Sequence, residues 1–266
     1  MKKYLRNHPP REHWHVAADG KIADLYGCLT TVIEMDPFEF LEKIAFLLDN
    51  KPTLSADVGK LLQNHSDAGP CLFRNLRYRK THPALPEPCA LHLANSSTVR
   101  YAQLFTVPPQ VEICCNRGVN GIEGSLSTAI GYAAASSKLN FIIIGDLSFF
   151  YDMNALWNQN YGANIRILLL NNEGGEIFHT LPGMDKSSRS REFITAEHYT
   201  TAKGWAEERG FIYMKVTGEE ELEEAMQPFT SSETRMQPML LEVFTDKEKD
   251  TTLLREYYHG LKNKNE

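Results

Sequence analysis

The chain has 266 residues, of which 42% are hydrophobic and 23% charged, a balance typical of a globular protein. Its net charge is −6, and no basic tract is dense enough to predict nucleic-acid binding. Five cysteines without a C-x-x-C spacing argue against a disulfide framework or a zinc site, and predict reduced thiols in the cytoplasm. No apolar run reaches membrane-spanning length, so we expect no membrane span.

The first 50 residues predict only a few elements. Glu12–Ala17 and Leu29–Glu34 are rich in strand-forming residues, and Phe38–Leu48 has the pattern of an amphipathic helix that starts after Asp36-Pro37. A few short strands and one helix do not make a stable sheet alone. We therefore expect residues 1–50 to be the C-terminal remnant of a larger domain.

Residues 51–88 predict a linker, because proline and glycine recur along them and only Ala56–Asn64 suits a helix. We place the domain boundary in this segment and a second domain at residues 89–266. The sequence contains no internal repeat and no low-complexity tract.

From residue 89 onward, predicted strands and helices alternate. The strands are Ala90–Ala94, Val111–Cys115, Phe141–Ile144, Ile165–Leu170, Phe211–Val216 and Met239–Phe244. The helices are Val99–Phe105, Ser125–Ser136, Asn154–Gln159, Ala196–Arg209, Glu219–Gln227 and Thr252–Lys262. This alternation predicts an α/β fold, a parallel six-stranded sheet flanked by helices in three layers.

Polar residues follow two of these strands where a ligand site belongs. Gly145-Asp146 ends one apolar strand, and Asn171-Asn172 ends the next strand along the chain. Ligands of open α/β sheets bind beyond the carboxyl ends of the strands. Asp146 and Asn172 offer the oxygen ligands that Mg²⁺ prefers, and Gly174-Gly175 allows close backbone approach. The alternative is a plain βαβ unit in which Asp146 only caps a helix.

Two arginines lie near the ends of the preceding strands. Ser96 and Arg100 follow the strand Ala90–Ala94, and Arg117 follows Val111–Cys115. A guanidinium group matches a carboxylate or a phosphate, so two arginines at adjacent strand ends predict an anionic ligand. Singly, each arginine could equally form a surface ion pair.

Together these motifs resemble those of thiamine diphosphate (ThDP) enzymes. The resemblance is strongest to the MenD-type synthases, which make 2-succinyl-5-enolpyruvyl-6-hydroxy-3-cyclohexene-1-carboxylate (SEPHCHC) from 2-oxoglutarate and isochorismate in menaquinone biosynthesis. It covers about residues 90–245. The segments that carry it are Asn95-Ser96-x-x-x-Arg100, Asn116-Arg117-Gly118-x-x-Gly121-Ile122-Glu123-Gly124, Gly145-Asp146-Leu147-Ser148 and Asn171-Asn172-x-Gly174-Gly175-x-Ile177-Phe178-x-x-Leu181-Pro182.

The resemblance implies a three-layer ThDP-binding fold and a role for each matching residue. The metal ligands for Mg²⁺, with Mn²⁺ as an alternative ion, would be Asp146, Asn172 and the carbonyl of Gly174. Ile122 would lie under the bend of the cofactor. The full cofactor-binding set would be Ser96, Gly121, Ile122, Gly145, Asp146, Leu147, Ser148, Asn172, Gly174, Gly175 and Ile177. The substrate-binding set would be Arg100, Arg117, Ile177, Phe178 and Leu181.

The resemblance also implies that a part is missing. In this family a pyrimidine-binding domain supplies the glutamate that activates the cofactor, and no segment of this chain corresponds to it. We therefore expect no catalytic residue here, and an isolated chain that is an inactive half of a transferase. The alternatives are a domain of an acetolactate-synthase-like ThDP enzyme, or the non-catalytic chain of a two-chain assembly. Without the missing domain, apolar surface around Ile122, Phe149, Phe150 and Phe178 would favour a homodimer or a larger oligomer.

Overall fold

The computed structural model describes residues 2–48, 85–86, 88–103, 107–118, 120–158, 160–175, 178, 189–233, 235–246, 249–250 and 252. The chain divides into two compact units, Met1–Gly59 and Lys60–Glu266, each of which is described by itself. The predicted helix Ala56–Asn64, and all of Thr252–Lys262 except its first residue, lie outside the described residues. Within those residues, no helix is both long and apolar enough to cross a membrane.

Residues 2–48 of the first unit form two short strands and two helices. Its strands pair in parallel, with Trp14 opposite Thr31. The second helix begins with Pro37, and the Oδ1 atom of Asp36 accepts the N–H group of Phe38 at 2.8 Å, which caps the first turn. The elements are α1 (Lys2–Asn7), β1 (Trp14–Ala17), β2 (Thr31–Glu34) and α2 (Pro37–Leu48); α1 is the one that the sequence did not predict.

The second unit contains a six-stranded sheet. Its strands are β3 (Cys89–Leu93), β4 (Glu112–Cys115), β5 (Leu139–Gly145), β6 (Ile165–Asn171), β7 (Ile212–Val216) and β8 (Met239–Phe244). Every pair of neighbouring strands is parallel, in the order β4-β3-β5-β6-β8-β7, which confirms the predicted α/β fold. The helices are α3 (Ser97–Ala102), α4 (Ser125–Ala134), α5 (Asp146–Asp152), α6 (Lys203–Glu208) and α7 (Glu219–Thr230).

Apolar side chains cover both faces of the central strands. On one face Ile142, Ile144 and Ile167 pack in a cluster with residues of α4, and on the other Phe141 and Leu168 pack with residues of α7. This is why Phe141–Ile144 in β5 and Ile167–Leu170 in β6 are continuous apolar runs in the sequence rather than alternating ones. Burial on both faces makes this sheet the rigid base of the unit.

Two predicted helices are wrong in position. Asn154–Gln159 was expected to be a helix, but α5 begins at Asp146, and a 3₁₀ turn over Met153–Leu156 follows it. Ala196–Arg209 is helical only from Lys203. The N–H group of Ala202 donates to the buried Glu242 carboxylate at 3.2 Å, so the backbone before Lys203 bonds to β8 rather than continuing a helix. A π-helical turn, Ser190–Ile194, was not predicted.

Candidate functional site

A cavity of about 460 Å³ opens at the carboxyl edge of the sheet, a volume within the usual range for small-ligand sites. It lies beyond the ends of β3, β5, β6 and β8, where ligands of parallel sheets bind. Its lining residues are Asn95, Ser96, Ser97, Thr98, Arg100, Tyr101, Asn120, Ile122, Gly145, Asp146, Leu147, Ser148, Leu170, Asn172, Gly174, Gly175, Phe178, Thr245 and Asp250.

Asp146 is the charged group at the centre of this edge. It is the first residue of α5 and only 3% exposed. Its Oδ1 atom accepts the N–H group of Leu147 at 2.6 Å, and its Oδ2 atom accepts the N–H group of Gly174 at 2.9 Å. The second bond ties the end of β5 to the loop after β6, because these strands are neighbours in the sheet. The two backbone donors therefore fix the orientation of the carboxylate.

The loop after β6 has a backbone that requires glycine. Gly174 has a φ of +144°, and a Cβ atom built on it would lie 2.8 Å from the carbonyl oxygen of Thr195. The N–H group of Gly175 donates to the same oxygen at 2.6 Å. The loop is therefore fixed on one side by Asp146 and on the other by Thr195, and Asn172, Gly174 and Gly175 all line the cavity.

Ile122 lines the cavity from a turn that two polar side chains hold. The Nδ2 atom of Asn95 donates to the carbonyl oxygen of Gly121 at 2.9 Å, and the hydroxyl of Ser148 donates to the carbonyl oxygen of Ile122. Ser148, predicted to bind a cofactor, thus also supports this turn. The Ile122 residue is half-buried and lines the cavity rather than the hydrophobic core.

The backbone after β3 is strained where it reaches the cavity. Ser96 has a φ of +71° and a ψ of −132°, a conformation that costs a non-glycine residue about 1–3 kcal/mol. Strain of this kind concentrates at ligand sites. Ser96, just before α3, and Arg100, within α3, both line the cavity.

The structure brings most of the predicted site residues together but not all. Arg117 is exposed and does not line the cavity, and Gly121 lies behind the turn of Ile122. Ile177 and Leu181 lie outside the described residues. Phe149 was expected at an exposed apolar surface, which is wrong because its side chain is 0% exposed.

Several lining residues escaped the sequence analysis. Thr245 follows β8 just as Asp146 follows β5, a signal that the same rule of strand ends could have found. Asp250 also faces the cavity, and burial raises the pKa of its carboxyl group, an effect that the side chain of Thr245 partly offsets. Asn95 belongs to a motif of the resemblance but was assigned no role, and Asn120 and Tyr101 carried no separate signal.

The donor set suits a hard cation better than a transition metal. Asp146, Asn172 and the Gly174 carbonyl can supply oxygen only, and a cation such as Mg²⁺ takes oxygen from protein and from a phosphate together. Among the described residues, no three His, Cys, Asp or Glu side chains cluster as a metal site. A single carboxylate with neutral oxygens therefore leaves positions for the oxygens of an anionic ligand.

Comparison with known proteins finds a family match over most of the second unit. Residues 95–243 match the family model described as "Thiamine pyrophosphate enzyme, C-terminal TPP binding domain". This range includes the strands β4 to β7, all of β8 except Phe244, and Asp146, Asn172 and Gly174 of the cavity lining.

Curated relatives resemble the whole chain but are longer. A 2-succinyl-5-enolpyruvyl-6-hydroxy-3-cyclohexene-1-carboxylate synthase of Phocaeicola vulgatus is 88% identical across 100% of the chain and 48% of its own length. Proteins of the same name from Bacteroides thetaiotaomicron and Flavobacterium psychrophilum are 62% and 36% identical, across 99% and 98% of the chain. The chain therefore spans about half the length of the curated relatives it matches.

Proposed function

Because the chain belongs to the family of C-terminal TPP-binding domains of thiamine pyrophosphate enzymes, we propose that its cavity holds the diphosphate of ThDP through Mg²⁺. The observation that carries this proposal is the bond between the Gly174 N–H group and the Asp146 Oδ2 atom, which joins the start of α5 to the loop after β6 at the lining of one cavity. The fold and the oxygen-only donor set both fit a hard cation that bridges protein and phosphate.

Each residue has a distinct task in this proposal. Asp146, the side-chain oxygen of Asn172 and the carbonyl oxygen of Gly174 bind Mg²⁺, or Mn²⁺ in its place. Ser96, Gly145, Leu147, Ser148 and Gly175 line the path of the diphosphate, and Ile177 adds to this set by the resemblance. A Cβ atom on Gly145 would meet no other atom within 4 Å, so its backbone is open to a ligand.

Ile122 and the arginines complete the proposed site. Ile122, on the turn that Asn95 and Ser148 support, packs under the cofactor and sets its bend. Arg100 lines the cavity and binds a substrate carboxylate through its fork of N–H donors. Arg117 is exposed and does not line the cavity, and the resemblance assigns it to a substrate carboxylate as well. Phe178 lines the cavity and contributes apolar surface that excludes water from the reacting carbons, and Leu181 belongs to the same set by the resemblance.

We further propose that the intact enzyme is a SEPHCHC synthase, a transferase that uses 2-oxoglutarate and isochorismate. The names of the relatives favour this assignment over an acetolactate-synthase-like activity. ThDP would supply the electron sink for loss of CO₂ from 2-oxoglutarate. In this proposal the residues of the cavity anchor the cofactor and orient substrate carboxylates. The activating glutamate belongs to a pyrimidine-binding domain in the other half of such enzymes. The intact enzyme forms a dimer or a larger assembly.

Calorimetric titration tests the metal and diphosphate site. ThDP titrated into the chain should bind in the presence of Mg²⁺ and not in the presence of EDTA. The variant Asp146→Ala should abolish the Mg²⁺-dependent heat, because a buried charged ligand is lost. Glu207→Ala, which removes an exposed carboxylate on α6, is the matched control and should bind as the wild type does. Equal binding by the wild type and Asp146→Ala would refute the proposed site.

An activity assay tests the assignment of the intact enzyme. The chain alone should form no SEPHCHC from 2-oxoglutarate and isochorismate, and addition of the remaining half of a relative should restore the reaction. Turnover by the chain alone would show that the activating group lies within these 266 residues.

A further inference from the structure

The segment Thr195–Ala202 lies directly behind the proposed metal ligands. The carbonyl oxygen of Thr195 accepts the Gly175 N–H group at 2.6 Å, and the N–H group of His198 donates to the carbonyl oxygen of Glu173 at 3.2 Å. Two backbone bonds thus fasten this segment to the loop that carries Asn172 and Gly174. The sequence predicts a helix from Ala196 onward and no function for this segment.

The ring of His198 points at the carboxylate of Asp146. Its Nε2 atom lies 3.3 Å from the Asp146 Oδ2 atom. The Nε2 atom is buried, and its approach to Asp146 falls outside hydrogen-bond geometry, so Nε2 has no hydrogen-bond partner among the described residues. Phe150 packs edge-on against the ring, with centroids 5.3 Å apart and planes at 89°. The ring is therefore held in place with a polar atom aimed at the site.

The hydrogen bond at Nδ1 determines which ring nitrogen of His198 carries the proton. The Nδ1 atom accepts the N–H group of Thr200 at 3.1 Å, so Nδ1 carries no proton. The N–H group of the ring is then on Nε2, the atom that lies 3.3 Å from Asp146 Oδ2.

Counting acceptor positions on Asp146 shows what this donor does. Oδ1 accepts one N–H group, from Leu147, and Oδ2 accepts one, from Gly174. A second donor at Oδ2 would fill that oxygen and leave the remaining open position on Oδ1. The carboxylate would then present one defined oxygen to a cation.

We propose that His198 is a positioning residue for the metal site, which donates from Nε2 to Asp146 Oδ2 and so directs Oδ1 to the cation. The inference rests on the proposed function, because it assumes that Asp146 is a metal ligand. Hydrogen bonds of this kind orient metal-binding carboxylates, and their loss typically weakens metal affinity about 10- to 100-fold.

Three substitutions separate this role from simple packing. His198→Gln keeps an N–H donor close to the position of Nε2, whereas His198→Asn keeps a polar atom only near Nδ1, and His198→Leu keeps neither. Tyr199→Leu, which alters the exposed neighbour, is the control. The readout is Mn²⁺ affinity at one fixed pH in the presence of ThDP, with free Mn²⁺ measured by electron paramagnetic resonance. Urea unfolding of each variant measures the structural cost separately.

We expect His198→Leu and His198→Asn to bind Mn²⁺ about 10- to 100-fold more weakly, and His198→Gln and Tyr199→Leu to bind close to the wild-type value. If Asp146→Ala loses the ion while His198→Leu keeps wild-type affinity, the role of His198 is refuted and the metal site stands. If His198→Gln is as impaired as His198→Leu, the residue serves packing alone and the proposal is overturned. If Asp146→Ala binds as the wild type does, both the metal site and the role of His198 are overturned.

Discussion

We expect the removal of the Glu242 side chain to destabilise the backbone around the site more than the removal of any other side chain. It lies in β8 with 0% exposure, between the sheet and the segment before α6. Its carboxylate accepts hydrogen bonds from Asn171 Nδ2 at 2.8 Å, from the hydroxyls of Thr201 and Tyr213 at 2.7 and 2.6 Å, and from the Ala202 N–H group at 3.2 Å. Asn171 also donates to the carbonyl oxygen of Thr200 at 2.9 Å, so the network anchors the segment that carries His198.

The cost of Glu242→Ala follows from these four donors. Each buried donor left without an acceptor costs about 1–3 kcal/mol, and water entering the vacated volume recovers part of that. We expect a loss of about 3–5 kcal/mol in the free energy of unfolding, a large share of the roughly 5–15 kcal/mol of a typical domain. Glu242→Gln keeps the shape, and both hydroxyls can turn to accept from its amide, so its cost should be about 1–2 kcal/mol.

Urea unfolding at neutral pH, followed by tryptophan fluorescence, measures both variants. Trp205 lies in α6, next to the segment that Glu242 anchors, and should report its release. A loss below about 1 kcal/mol for Glu242→Ala would refute the reasoning, because the donors would then have found other partners. Equal losses for Glu242→Ala and Glu242→Gln would mean that charge, not the number of acceptors, stabilises the network.

Three further predictions address backbone, pH and buried charge. Gly174→Ala should lower the free energy of unfolding by about 2 kcal/mol or more and weaken Mg²⁺-dependent ThDP binding, because its Cβ atom would lie 2.8 Å from the Thr195 carbonyl oxygen. The control is Gly131→Ala in α4, where a Cβ atom meets nothing within 4 Å. It should be neutral or stabilising in urea unfolding and leave the ThDP titration unchanged. Burial and the hydrogen bond to Glu242 raise the pKa of Tyr213 above its usual 10.0, so the stability it contributes is complete below about pH 10 and falls above it, where only the unfolded chain loses the proton. Unfolding measured from about pH 9 to 11 should therefore show the wild type losing its advantage over Tyr213→Phe, and a constant difference would contradict this. Arg166 is 0% exposed; its Nη1 atom donates to the carbonyl oxygens of Ala163 and Ile165, and its Nε and Nη2 atoms have no hydrogen-bond partner in the part of the chain that the structure describes. Burial lowers its pKa, so Arg166→Met should unfold at the same or a higher urea concentration, and a clear loss of stability would contradict this.

The sheet could be predicted because its strands are apolar on both faces. A run such as Ile165–Leu170 is shorter than a typical helix and lacks the alternation of apolar and polar residues that a strand with one solvent-exposed face shows. It therefore indicates a buried parallel strand. Helix limits were less predictable, because tertiary hydrogen bonds decide them. The sequence near Ala202 suits a helix locally, but Glu242, 40 residues later, captures its N–H group.

The same distinction between local sequence signals and tertiary contacts applies to the residues of the candidate site. Asp146, Asn172 and Gly174 were found because strand ends in a parallel sheet meet at one edge. His198 was missed because it lies in a loop 52 residues beyond Asp146, and nothing local marks its approach to that carboxylate. Arg117 was placed at the site from the same rule of strand ends, yet it follows the edge strand β4 and remains exposed.

A crystal of the chain grown with ThDP and Mn²⁺ tests the central claim most directly, because anomalous scattering locates the ion without reference to the protein. We predict one peak at about 2.1 Å from an Asp146 carboxylate oxygen, the Asn172 side-chain oxygen and the Gly174 carbonyl oxygen, with diphosphate oxygens completing the shell. Diphosphate bound in the cavity with the ion elsewhere, or an ion that contacts Asp146 but not the loop after β6, would contradict it.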